Sequence, residues 1–404
     1  MPVAIQGLRG TGEFDVDHRP KNYRELFTLL EPNGTAPLNA LLAMGASEST
    51  DDPEYKNFRD ELPDRKLRVN NTGGYDAAAT SITIDASDEA KFAVTGAIIA
   101  SAATGEIMHV TADTTGTTLA VARNIGGTTF TITDNDELFI AGFAAQEGAK
   151  TPTPISFDAT VASNYTQIFR TSFSVTGTLK QTHLRTGDKL NEAMTKALKL
   201  HMSDIERAMF FGRKHESNGT TAQPTRFTGG LINSLSNVVD LTTDFANHGG
   251  AAAGEMTEEG FDALLISSVF KYGSSQKVAF VGETVANQLQ QMGKDRWSPE
   301  SVQGAYGVNL TRYQTFAGDL MVHLHPQFRQ VPGMKTAMVI IDFPHLKYRY
   351  LDGRDTNLLE NRQGNDEDAI KHEYLTECGL ELTQDKVHSY IKGWTTRTSS
   401  GPST

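Results

Sequence analysis

The strongest periodicity in the chain is helical. Leu190, Met194, Ala197, Leu198, Ile205 and Met209 recur as one apolar stripe, with Asp188 placed to cap the first turn and Gly212 to end the last. Such an element is on the order of 36 Å long at 1.5 Å per residue. Just before it, Phe169, Phe173 and Val175 alternate with polar residues, the signature of a strand with one buried face. Near the N-terminus, Tyr23, Leu26, Phe27 and Leu30 recur at helical spacing, Asn22 can cap them, and Pro32 ends the turn. A second short helix is predicted over 37–44. Helices this short are marginal alone, so the apolar face of this N-terminal arm needs a partner, either in its own subunit or in a neighbour.

From 70 to 150 the composition shifts to Thr, Ala, Gly and Asp, with short apolar runs between turn residues. The spacing predicts an all-β insert with strands over 81–84, 91–94, 106–110, 118–122, 129–132 and 138–140, and with turns at Gly116 and at Gly126 and Gly127. Beyond the long helix the pattern is mixed. Helices are expected over 258–272 and 284–292, and strands over 277–281, 320–324, 337–342 and 346–351, followed by a small polar tail over 397–404. No short-period repeat is present.

At 404 residues, 38% hydrophobic and 21% charged, the chain can bury a real core in two or three packed units. No apolar run approaches the roughly 20 residues that a membrane span needs, and the first residues lack a basic stretch followed by an apolar one, so neither export nor anchoring is expected. A net charge of -12 argues against tight, sequence-reading DNA binding. The single cysteine, Cys378, excludes an intramolecular disulfide framework, and no basic neighbour activates its thiol.

A search for chemistry ends without a site. The glycines at 7, 10 and 12 lack the Lys-Ser or Lys-Thr pair of a phosphate loop, and no nucleophile elbow or Cys/His pairing occurs. His323 and His325 lie two apart on a predicted strand, with Asp342 and His345 close in sequence, but a metal needs three or four convergent ligands. His372 and Glu373 begin a zincin-like motif that Thr376 breaks. His201 falls beside the apolar stripe, where a packing role is expected. The cluster Asp134, Asn135, Asp136 and Glu137 lacks the central glycine and distal glutamate of a calcium loop. No catalytic residue, cofactor or metal is therefore assigned.

The order of elements, an arm, a β-rich excursion, one long helix and a mixed body, resembles the tailed-phage major capsid protein family. It is most similar to podovirus-type members with a β-domain inserted in the extended-loop region. The local likeness lies in Thr104-Gly-Glu-Ile-Met-His-Val-Thr, in Thr118-Leu-Ala-Val-Ala-Arg-Asn-Ile-Gly-Gly, and in Gln167-Ile-Phe-Arg-Thr-Ser-Phe-Ser-Val-Thr-Gly-Thr leading into the helix.

This resemblance implies an α+β tailed-phage capsid fold: an N-terminal arm over 1–69, an extended loop with its β insert over 70–180, and a peripheral domain over 181–254 with a spine helix at 188–212. A mixed α/β axial domain over 255–344 would follow, then return strands and a tail over 345–404. The implied function is structural, a non-enzymatic subunit forming hexamers and pentamers of an icosahedral head around double-stranded DNA. Scaffolding, cement and portal proteins are the implied partners, and assembly is expected in the host cytoplasm. Tyr23, Leu26, Phe27 and Leu30 are the candidate assembly contacts. Some relatives crosslink subunits through a Lys and an Asn, but no motif assigns such residues here. The alternatives are the shell of a cargo-enclosing bacterial nanocompartment and, from a different class, a histidine-dependent metallohydrolase using His323 and His325.

Overall fold

The computed structural model describes residues 36–38, 47–62, 64–127, 129–182, 188–217, 223–292 and 311–395. In chain order the strands are β1 (Ser47–Thr50), β2 (Glu54–Arg59), β3 (Lys66–Arg68), β4 (Ser81–Thr83), β5 (Ala97–Ser101), β6 (Ile107–Thr115), β7 (Thr118–Ile125), β8 (Glu137–Phe143), β9 (Thr160–Tyr165) and β10 (Gln167–Thr176). After the long helix α1 (Lys189–Phe211) come β11 (His215–Ser217), β12 (Thr225–Phe227), β13 (Val238–Asp240), helix α2 (Glu258–Leu264), β14 (Gln276–Val281) and helix α3 (Glu283–Met292). The chain continues with β15 (Thr311–Gln314), β16 (Asp319–Leu324), β17 (Met338–Ile341), β18 (Leu346–Leu351), β19 (Asn357–Leu359), β20 (Ala369–Leu382) and β21 (Ser389–Lys392). The chain divides into two compact units, Phe58–Val161 and the remainder.

The smaller unit is a sheet in the order β3-β8-β5-β6-β7-β4. Its two edges meet: an antiparallel bridge joins Val69 to Ile84, with Asn70 N–H donating to Thr83 O at 3.0 Å and Asp85 N–H to Arg68 O at 2.9 Å. The sheet is thus a closed six-stranded barrel, which removes the open edges that would invite aggregation. Alternate residues fill it, Leu67, Ile82, Ile99, Met108, Val110, Leu119, Val121 and Leu138 among them.

Two strands expected from the sequence are absent here. The segment 91–94 is a turn after a short helix, Ser87–Ala90, and 129–132 contributes only the isolated bridge between Tyr75 and Ile132. The strand that builds the barrel instead is β5. Its Ala-rich sequence hides the pairing, because Ile99 meets its partners Met108 and Ile140 only across the sheet.

Among the described residues the larger unit holds a two-stranded ribbon, β11-β12, and two larger sheets. One runs β1-β18-β20-β10, with β19 also on β20; the other runs β13-β21-β17-β14-β16-β15. Helix α1 packs on β10 and β20. Strand β14 is buried on both faces: Val278 and Phe280 enter the core shared with Ile205, Met209 and Phe210 of α1, while Ala279 and Val281 enter a second core with Phe261, Leu289 and Trp394. Near-continuous apolar sequence is what burial on both faces requires.

Helix α1 begins at the expected cap, where the Asp188 carboxylate accepts from Leu190 N–H at 2.9 Å. It stops at Gly212 for a reason other than left-handed geometry. Gly212 has φ -54, and a Cβ there would stand 2.4 Å from both Ala208 O and Thr228 O, so close approach of backbone demands glycine. The helix expected over 258–272 is α2 followed by a wider π turn, Leu265–Val269.

Candidate assembly surface

Helix α1 places two polar side chains beneath its apolar stripe. His201 is fully buried, with Nδ1 3.0 Å from Thr171 Oγ1 on β10 and Nε2 2.8 Å from Thr376 Oγ1 on β20. Burial holds its imidazole pKa below the ordinary value, so the neutral ring donates through one nitrogen and accepts through the other. This side chain links the helix to both strands, the packing role expected for it.

One turn further, Glu206 is equally buried. Its Oε1 accepts from Leu38 N–H at 2.8 Å and lies 3.0 Å from His325 Nε2. His325 Nδ1 accepts from Gln327 N–H at 3.2 Å, so Nε2 carries the proton that Glu206 receives. The ring of His325 stacks on Phe328 at 4.5 Å and meets Phe210 edge-on at 4.8 Å.

The groups that stood near one another in sequence therefore have separate partners. His325 lies past the end of β16 and caps the following turn, while His323 on β16 meets the Phe280 ring edge-on at 6.0 Å. Asp342 accepts from Ser274 N–H at 2.8 Å and Ser274 Oγ at 2.7 Å, and His345 Nδ1 lies 3.1 Å from Thr383 Oγ1. Among the described residues no group of three or more His, Cys, Asp or Glu is gathered as a metal site. In the barrel, the acidic run is a turn: Asp136 accepts from Thr133 N–H at 2.8 Å and Asp134 from Asn71 N–H at 2.8 Å.

Strand β20 carries a feature that sequence reading missed. Its even positions Tyr374, Thr376, Cys378, Leu380 and Leu382 are buried, and on the opposite face Glu373, Glu377 and Glu381 are buried as well. Each carboxylate is held by an arginine from another segment: Arg170 on Glu373, Arg354 on Glu377 at 2.6 Å, and Arg349 on Glu381. Arg170 hydrogen bonds hold the Glu373 pKa below the usual carboxylate range. Arg349 and Lys347 extend the ladder to Glu48 on β1, at 3.1 and 2.9 Å. Arg170 is 203 residues from Glu373 and Lys347 is 299 from Glu48, separations that leave no local signal; the trace in sequence is Glu at every fourth position.

Exposed apolar groups mark where this molecule has surface to bury. On the larger unit Phe316 is fully exposed, at 102%, in the turn between β15 and β16, and Leu200 on α1 is 61% exposed. On the barrel, cross-strand register places Phe139, Ala100, Ile107 and Ile125 in one row across β8, β5, β6 and β7. Phe139, Ile107 and Ile125 are each more than two-fifths exposed, which makes a contiguous apolar row on the outside of a barrel. The candidate contacts Tyr23, Leu26, Phe27 and Leu30 lie outside the described residues.

Residues 8–395 match the SU10 major capsid protein family. The chain belongs to that family. It is a capsid shell protein, a structural component of a phage virion. It is 26% identical over 347 residues to the major capsid protein of Pseudomonas phage PaMx41, covering 83% of this chain and 80% of that one. It is also similar to the capsid protein of the native GTA particle, at 9% identity and a TM-score of 0.44 over 93% of this chain and 95% of that one. A chain of a solved structure of Mycobacterium phage Bobi is similar at 8% identity and a TM-score of 0.44, over 93% of this chain and 96% of that one. The family match over nearly the whole length decides the assignment, and it agrees with the α+β capsid architecture that the resemblance implied.

Proposed function

We propose that this capsid protein assembles as hexamers and pentamers into a closed icosahedral head around double-stranded DNA, and that it catalyses nothing. The observation that carries the reading is the family match over residues 8–395. It is supported by the exposed Phe316 and by the outward row of the barrel, since a shell needs many modest apolar contacts between identical subunits. In this reading 1–69 is the arm, 70–180 the extended loop with its insert, 181–254 the peripheral domain, 255–344 the axial domain and 345–404 the return strands and tail.

The arm carrying Tyr23, Leu26, Phe27 and Leu30 is assigned a role in assembly. DNA is contained without being read. Residues 58–161 hold 14 Asp and Glu against 7 Lys and Arg, a poor surface for phosphate. Buried histidines and carboxylates have structural partners, so no chemistry is assigned to them. Assembly in the host cytoplasm, beside scaffolding, cement and portal proteins, completes the reading. Sedimentation velocity of the chain produced alone and with its neighbouring gene products tests it: species the size of hexamers, pentamers or closed particles are expected, and monomers or dimers under every condition refute it. A shell that encloses protein and no nucleic acid would favour a nanocompartment.

A further inference from the structure

Strand β10 is the outer strand of its sheet. It pairs with β20 over all ten residues, Gln167–Thr176, without a bulge, and among the described residues no strand pairs with its other edge. Thr228 N–H reaches the Gln167 side chain at one end, 3.1 Å from Oε1; beyond it the outward backbone groups find no partner in the described backbone. Such an edge is a template for another strand, and proteins that must keep it free shorten it, bulge it or place Pro and Lys on it. Strand β10 is long, unbulged and carries neither residue. Its sequence, Gln-Ile-Phe-Arg-Thr-Ser-Phe-Ser-Val-Thr, is rich in β-branched and aromatic side chains, and Arg170 is its one charge.

A segment patterned as a strand stands free of any sheet. Residues 151–159 belong to no helix or strand and are exposed throughout. Yet Ile155, Phe157 and Ala159 alternate with Ser156 and Asp158, the period of a strand with one buried face. Ile155 and Phe157 are each more than two-fifths exposed. The Thr153 hydroxyl is held by Asp113, and the Thr160 hydroxyl reaches Arg59 O at 3.3 Å. Between those two ties, residues 154–159 make no backbone hydrogen bond among the described residues. Pro154 falls at the start of the run, where a strand tolerates proline.

Within one copy this segment runs straight into β9, whose six residues pair with β2 and leave Thr166 as the single residue before β10. It meets its own β10 only if β9 leaves β2, whereas donation to a neighbour needs no such loss. We propose that residues 155–159 of one copy add as an antiparallel strand to the open edge of β10 in a second copy, an inference that rests on the reading of the chain as a subunit of a shell. One register satisfies both faces. With Ser156 opposite Ser172, Asp158 falls opposite Arg170, Ile155 opposite Phe173 and Ala159 opposite Phe169. The apolar side chains then join the face of β10 on which Thr171 meets His201 of α1. The carboxylate joins the other face, where Arg170 bonds Glu373 through Nε and Nη2 and keeps Nη1 for a second carboxylate. Donor and acceptor are different surfaces, so each copy gives one strand and takes one, and the contact propagates from copy to copy.

The test joins Ser156→Cys with Ser172→Cys in the full-length chain, two near-isosteric changes at exposed positions. The native Cys378 does not compete, being buried with its thiol pushed up to about 12 by burial. The assembled protein is oxidised and run on a non-reducing denaturing gel, and sedimentation of the same sample reports assembly. A ladder of covalently joined chains is expected from the double variant and from neither single one. Assemblies that sediment as the parent's do but give no ladder, or a disulfide within one chain, overturn the strand addition and leave the shell reading standing. If the sample sediments only as monomers the shell reading fails, and a peptide of residues 151–161 added to those monomers decides the strand addition. Amides of β10 should then exchange about tenfold more slowly with the peptide than without it, and unchanged exchange overturns the proposal.

Discussion

Lys277 is the sharpest point at which to test how the larger unit is held together. It lies on β14 and is 1% exposed. Its Nζ donates to three backbone carbonyls, Val269 O at 2.6 Å, Tyr272 O at 2.8 Å and Val387 O at 2.6 Å. Only an ammonium has three protons to give. Burial pushes its pKa down to about 8, with Asp342 opposing, so at neutral pH the charged form persists and all three bonds stand. They tie the end of the π turn and the segment before β21 to the central strand.

Lys277→Met keeps most of the stem volume and removes the donors. Each buried carbonyl left unpaired costs about 1–3 kcal/mol, and relaxation around three neighbouring acceptors should recover part of it. We expect a loss of about 3–5 kcal/mol, a large share of the stability of an ordinary domain. Urea unfolding followed by the fluorescence of Trp394, which is fully buried in the second core, measures it. A loss below about 1 kcal/mol would show that these carbonyls find other donors and that the lysine is not the tie described.

In the barrel, Arg123 and Glu106 form a buried bidentate pair at 2.8 and 2.5 Å, with Phe130 N–H also on Glu106. Arg123→Met should destabilise the barrel by about 3–5 kcal/mol because it strands a buried carboxylate, and calorimetry should show that transition shifting while the one from the larger unit holds; two equally shifted transitions would contradict it. His388 is fully buried and its Nδ1 accepts from Asp342 N–H at 3.1 Å, with burial lowering its pKa to about 4 against the raising effect of Asp342. Since the unfolded chain binds the proton first, stability is complete above about pH 6.5 and falls as pH drops towards 4, by up to about 3 kcal/mol. Urea midpoints that do not change between pH 7 and pH 4.5 in the parent, or that change as much in His388→Asn, would refute this assignment.

The sequence makes local features legible and long-range ones obscure. Helix α1 was readable to the residue at its N-cap because Asp188, the stripe and the stop at Gly212 all act within a few turns. Strand β18 and most of β14 and β16 were readable from apolar runs. The longest strand, β20, was not, because one face carries Glu373, Glu377 and Glu381 and its apolar face alternates with them; only the arginines brought from elsewhere make burial of that face tolerable. Barrel closure between Val69 and Ile84 joins the expected strand at 81–84 to a segment, 66–69, whose own sequence gives no strand signal. The same holds for the surface: Phe139, Ile107 and Ile125 are far apart in sequence and become one row only through register. His323 and His325 show the opposite failure, near in sequence yet held by different surroundings.

Electron microscopy of the chain produced alone and with its neighbouring gene products tests whether this subunit builds a shell. Closed particles of uniform diameter with sixfold and fivefold clusters of subunits on their surface are the predicted result. Well-folded protein that forms no closed particle in either setting, at concentrations where related shells close, would contradict it.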